Sequence, residues 1–295
     1  MRTDTDAVTG PAADPAPAPA AAPATGPAAD PGHVTYVYAV GRAGTPLDEA
    51  ARRLTGLAES PLRTVGADGL AALVSSLPAD AYGADGMRAR MEDLAELEAL
   101  ARTHHATVEA AYASTTVLPM RLATVYLDDT RVVEMLRERS GDLGALLSSL
   151  EGQVELGVKV YADPSAASAR SPGPDVAAAD PAAGPGRAYL QRRRTQRRDR
   201  RDIYRAAGAV AAQVPERLAG LVRARVAHRP QQGELASGAG ENIANDAYLV
   251  PAEQVGEFRR ALAGLSDAAP GVRVEITGPW VPYSFATPPR PGGTT

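Results

Sequence analysis

Cysteine is absent from the 295 residues, which excludes a disulfide framework, a thiol nucleophile and a thiolate metal site. Aromatic residues are scarce, with one tryptophan and two phenylalanines. No apolar run approaches the roughly 18 residues that a membrane span needs. Proline repeatedly interrupts the N-terminus, which lacks the basic and apolar regions of a secretory signal. These absences point to a soluble, cytoplasmic protein. Catalytic motifs are missing too: there is no G-K-[ST] phosphate loop and no G-x-S-x-G elbow.

The remaining candidates for chemistry are weak. His104 and His105 are adjacent, so on a helix they point roughly 100° apart and cannot converge on a metal as an i, i+4 pair would. His105 lies on the apolar stripe and reads as a core or interface histidine, while His33 and His228 are isolated. Ser237 to Gly240 reads as a hairpin loop, and Glu92, Asp93, Glu96 and Glu98 as a solvated helix face. We expect no enzyme, no metal site and no cofactor.

The length fits two domains of ordinary size. Met1 to Gly32, Pro164 to Gly186 and the tail after Ala286 are rich in Ala, Pro and Gly without a periodic apolar face, so they are expected to be disordered. The expected division is an N-terminal tail at 1–32, an α+β domain at 33–127, a second domain at 128–285 and a short tail at 286–295. The second domain would begin with a linking helix and carry the insert at 164–186.

Periodicity predicts two rounds of one pattern. Val34 to Val40 is a strand, Thr45 to Gly56 a helix, and Leu62–Gly66 with Leu70–Leu77 a hairpin turning at Asp68-Gly69. Met87 to Ala113 is a helix with Met91, Leu94, Ala101, His105, Val108 and Tyr112 on one face. Thr116 to Tyr126 is extended and broken at Pro119. A helix from Asp129 to Leu150, interrupted at Ser140-Gly141, leads to the second round. There, strands are expected at Val154–Tyr161, Val222–His228, Ala247–Val250 and Val272–Ile276, with helices at Arg187–Leu221 and Pro251–Leu265. Each half reads β-α-β-β-α-β, the ferredoxin-like split order, so the fold class is α+β in two domains.

Three segments carry the remaining signal. Arg187 to Arg205 holds nine arginines and two aspartates, a local +7 against a whole-chain −4, so the remainder carries −11. Arg193, Arg197 and Arg200 are the candidates there for docking on an acidic protein surface. The preferred reading is a solvated helix face, with Arg198 and Asp202 as an i, i+4 pair; nucleic acid ranks last because the second domain's strands lack an aromatic platform. Pro215 should kink or restart this helix. Leu118-Pro119-Met120-Arg121 reads as a structural hinge, with Pro119 on an edge or bulge and Arg121 pairing a buried acid or capping a helix. Last, Gly278-Pro279 stops the final strand, and a proline-stiffened arm holds Trp280, Tyr283 and Phe285, which either seals a core or docks on a partner.

The run Thr277-Gly278-Pro279-Trp280, followed by Pro282-Tyr283-Ser284-Phe285, closely resembles the end of the gas vesicle protein F/L family. Val281 departs from it, standing where a proline is common. Y-V-Y-A-V from Tyr36, the V-L-P-M-R stretch through Arg121, and the Gly186-led start of the arginine helix with Tyr189-Leu190 are similar to that family too. The resemblance spans Tyr36 to Phe285 and implies two α+β domains, the second ferredoxin-like. It also implies a non-enzymatic role in gas vesicle assembly. The partners would be the hydrophobic major shell protein and other gas vesicle accessory proteins, at the vesicle or in the cytoplasm, with no membrane. An RNA-binding or small-ligand-binding protein on duplicated ferredoxin-like domains is the alternative.

Overall fold

The structure is a computed structural model that describes residues 32–165, 185–230 and 240–286, with side chains of the long helix from Arg193 onward. The expectations for most of the two tails, the insert and the Ser237 loop therefore fall outside the described residues.

The first sheet grows around β1 (His33–Arg42), with β2 (Arg63–Ala67), β3 (Leu70–Pro78) and β4 (Val117–Pro119) in the order β2-β3-β1-β4. A short β5 (Val125–Tyr126) also pairs with β1, and all pairings are antiparallel. The β2–β3 turn is the expected tight one: Asp68 and Gly69 both have positive φ (50° and 78°), as a type I′ hairpin requires. Helices α1 (Thr45–Arg53) and α4 (Leu94–Ser114) cover one face. On the other lie α5 (Asp129–Glu138) and α6 (Ser140–Leu150), whose Val132, Leu136, Leu143 and Leu147 meet Val37, Val40 and Val74. With both faces covered, β1 is buried at eight successive positions and shows no inside–outside alternation. A bidentate ion pair from Arg63 to Asp129 (2.7 and 2.8 Å), joined by the Thr35 hydroxyl (2.8 Å), fixes α5 to the sheet.

The second sheet has the order β7-β8-β6-β9, again antiparallel, from β6 (Gln153–Ala162), β7 (Ala224–His228), β8 (Glu241–Pro251) and β9 (Val272–Trp280). One face packs on α7 (Pro185–Arg217) through Ile203, Ala207, Val210, Val214 and Leu218, and on α8 (Val255–Leu262) through Phe258 and Leu262. Toward the opposite face, Leu249 and Ala224 join the cluster built by α5 and α6. The molecule is thus two mixed α/β units of antiparallel strands and helices, sharing one apolar layer.

Several expectations need correction. The helix expected over Met87–Ala113 is two, α3 (Ala84–Glu92) and α4, after a one-turn α2 (Ala79–Tyr82). Asp93 breaks it by capping α4, accepting from Ala95 N (2.8 Å) and Glu96 N (3.0 Å), and local capping wins over continuation. Leu94 consequently points outward, 82% exposed, and the buried face is Leu100, His104, Thr107, Val108 and Ala111. Strand β8 runs 11 residues, not four, because its polar residues are satisfied in place. Asn242 donates to Val160 O (3.2 Å) beside a bulge, and Asp246 pairs with Arg225 (3.0 Å). Strand β9 does not stop at Gly278-Pro279 but shifts register and pairs Trp280 with Glu155. Pro215 produces no restart, since α7 ends two residues later.

Candidate partner-binding surfaces

The tyrosines of Y-V-Y-A-V point into the first core and meet the L-P-M-R turn. Tyr36 hydroxyl lies 2.9 Å from His104 Nδ1, and His104 Nε2 lies 3.1 Å from the Met120 carbonyl. A carbonyl can only accept, so Nε2 carries the proton and Nδ1 accepts from Tyr36. Ala123 N donates to the same phenol oxygen (3.2 Å), and Met120 N donates to Tyr38 O (2.9 Å). Burial holds His104 neutral, pulling its pKa from 6.5 down to about 4, and pushes the Tyr36 phenol well up. His104, not His105, is therefore the core histidine; His105 is half-buried. Leu118 and Pro119 are buried on the edge strand β4, while Arg121 is exposed and pairs with no acid among the described residues. Its carbonyl accepts from Thr124 N (3.2 Å).

The C-terminal arm returns to the same place. Gly278 (φ 97°) sits so close to β6 that a Cβ would lie 2.7 Å from the Glu155 carbonyl oxygen, a position only glycine fits without strain. Pro279 follows it on the exposed rim. Val281 is buried in the first unit's core with Tyr283 packed beside it, and Phe285 reaches the α5–α6 cluster. Glu155 accepts from Ser284 N and from its hydroxyl (2.8 Å each), and Ser284 Oγ lies 3.0 Å from His228 Nε2. Tyr283 hydroxyl is buried with no hydrogen-bond partner, and burial pushes its pKa up to about 12. The arm therefore clasps the second unit onto the first. Trp280 alone among its aromatics remains open, 45% exposed, with its ring 6.4 Å from that of His105.

Arginines 193, 197 and 200 lie on one side of α7 along an open groove of about 410 Å³, together with Pro164, Ser165, Gln196 and Asp199. Every residue from 193 to 202 is exposed, and burial begins only at Ile203. Asp202 pairs with Arg198 (4.0 Å) and Arg205 (3.0 Å), and Tyr204 hydroxyl reaches Glu241 (2.5 Å). Tyr189 lies in the same helix, its side chain outside the described residues.

A second surface escaped the sequence reading. Val34, Tyr82, Met87, Met91, Val125, Tyr126 and Leu127 line an apolar groove of about 580 Å³ between α3 and β5. Met91 (46%) and Leu127 (73%) are among the few large apolar side chains left exposed. The available signal was two methionines of five lying four residues apart, Met87 and Met91, beside a helix break at Asp93.

Among the described residues no three His, Asp or Glu gather as a metal site, and no helix is long and apolar enough to cross a membrane. These motifs build a clasped core, and the fold defines a protein of two mixed α/β units. The profile of the family described as gas vesicle synthesis protein GvpL/GvpF matches residues 34–287, and the chain belongs to that family. It is 40% identical over 252 residues to gas vesicle protein L of Streptomyces sp. (strain CB03234), covering 85% of this chain and 92% of that one. It is 29% identical over 261 residues to gas vesicle protein F of the same strain, covering 85% and 98%. The crystal structure of GvpF from Anabaena sp. PCC7120 superposes with a TM-score of 0.60 at 19% identity, covering 89% of this chain and 100% of the other. That of GvpF from Microcystis aeruginosa gives 0.58 at 20%, covering 86% and 99%. Membership carries with it a part in gas vesicle assembly.

Proposed function

We propose that this chain binds the hydrophobic shell protein as a chaperone-like accessory factor, acting at the vesicle or in the cytoplasm with other gas vesicle accessory proteins. The observation that carries the reading is the α3–β5 groove, where exposed Met91 and Leu127 are set among buried Tyr82 and Met87. Flexible methionine side chains adapt to varied apolar partners, and an apolar patch on an exposed surface marks an interaction site. Trp280 and the Arg193–Arg197–Arg200 face are further contacts in this reading, whereas Tyr283 and Phe285 are taken up by packing within the chain. In the same proposal the chain divides at 127/128, with α5 and α6 as a linking segment that packs back on the first sheet. Both halves keep the β-α-β-β-α-β order, the second being ferredoxin-like, a reading that the strand order of the sheets supports.

Co-elution of the full chain with the major shell protein, at low and high salt, tests this. We expect a complex at both salts that Met91→Ser/Leu127→Ser abolishes while the variant stays folded. Loss mainly at high salt would move the contact to the arginine face. No complex at either salt would overturn direct binding.

A further inference from the structure

The second sheet ends in an open edge. Among the described residues β9 pairs with β6 and with no other strand, so from Val274 to Ile276 its outer side has no strand partner, whereas the Val272 N–H already donates to Ala269 O (2.9 Å). Such an edge is a template for another strand unless it is blocked. Near its end it is blocked, because Arg259 Nη2 donates to Gly278 O (2.7 Å). From Val272 to Ile276 there is no proline, and every residue is half-buried.

The side chains of this stretch are complementary to themselves. Val272, Val274 and Ile276 face the α7–α8 core, and Arg273 and Glu275 face the other way. We propose that β9 pairs with β9 of a second copy of this chain, antiparallel, about a two-fold axis at Val274. A two-fold axis through the sheet keeps like faces together and pairs residues whose numbers share a constant sum. Centred on Val274, the pairing sets Arg273 opposite Glu275 of the second copy, and Glu275 opposite its Arg273. It also sets Val272 opposite Ile276 on the apolar face. Centring on Arg273 or on Glu275 would oppose like charges, so charge selects one register. Within the copy, Glu275 lies opposite Lys159 on β6, and Arg273 stacks over the Tyr161 ring at 4.0 Å and reaches Glu275 at 2.5 Å. Both charged groups are therefore held on the sheet's face beside the edge. Two four-stranded sheets become one of eight strands. This pairing is independent of the groove and of the partner it takes.

The absence of cysteine gives a clean test. In the full chain, Val274→Cys sits on the axis and crosslinks to its own copy under mild oxidation, whereas Thr277→Cys has no counterpart in range. Sedimentation of the uncrosslinked chain should show a concentration-dependent dimer. Glu275→Arg should weaken that dimer by about tenfold or more, and the swap Arg273→Glu/Glu275→Arg should restore it. Restoration by the swap distinguishes lost pairing from lost folding. A chain that stays monomeric, a dimer indifferent to Glu275→Arg, or equal crosslinking of the two cysteine variants would overturn the proposal.

Discussion

At the scale of single residues, two positions are tightly constrained. His104 is kept neutral among Tyr36, Tyr38 and the Met120 carbonyl, with a pKa of about 4. Because the folded value lies below the unfolded 6.5, the unfolded chain takes up the proton first as pH falls. Stability is then full above about pH 6.5, declines between 6.5 and 4, and levels off below, for a total loss of ~3 kcal/mol. Urea unfolding of the native chain and of His104→Phe across pH 7 to 4.5 checks this, since the variant should lose that component of the slope. Gly278 is the second position. Gly278→Ala forces a Cβ against the Glu155 carbonyl at positive φ, and we expect a cost of about 2 kcal/mol or more in chemical denaturation. A variant as stable as the parent would mean that β9 relaxes away from β6.

At the scale of elements, the arm and the arginine helix have opposite characters. The arm is bound by its aromatic packing and by the Glu155–Ser284 pair of hydrogen bonds. Phe285→Ala should therefore destabilise the chain by about 2 kcal/mol, less than the loss of a fully buried phenylalanine. The first turns of α7 have no buried face from Arg193 to Asp202. Arg193→Ala/Arg197→Ala/Arg200→Ala should accordingly shift stability by no more than about 0.5 kcal/mol, measured by thermal melting. A large loss in that triple variant would show that these arginines hold the helix rather than present charge.

At the scale of the whole molecule, the two sheets are joined through one layer. Helices α5 and α6 pack on the first sheet and meet Leu249 of the second, and Phe285 fills the same cluster. Tyr112 hydroxyl also donates to the Gln153 carbonyl across the junction. The intact chain should unfold in one transition. Removing residues 278–286 takes out the clasp and should split calorimetric unfolding into two. A single transition in the truncated chain would assign the coupling to the α5–α6 layer and the Tyr112 contact.

Much of this was open to a reader of the sequence, for physical reasons. The Asp68-Gly69 turn, the β1 run and the Ile203–Leu218 stripe follow from local φ preference and apolar period, which need no knowledge of the rest of the chain. The C-terminal motif, with the shorter matches from Tyr36 and through Arg121, likewise resembled the family before any fold was in view. Tertiary structure alone decided the rest. Asp93 could have continued a helix or capped one, and β8 could carry Asn242 and Asp246 only because Val160 and Arg225 lie beside them. Which of two adjacent histidines is buried, whether the arm's aromatics face inward, and where Met91 and Leu127 leave a groove open depend on contacts between residues far apart in the chain. Periodicity describes one element at a time, and those choices were made between elements.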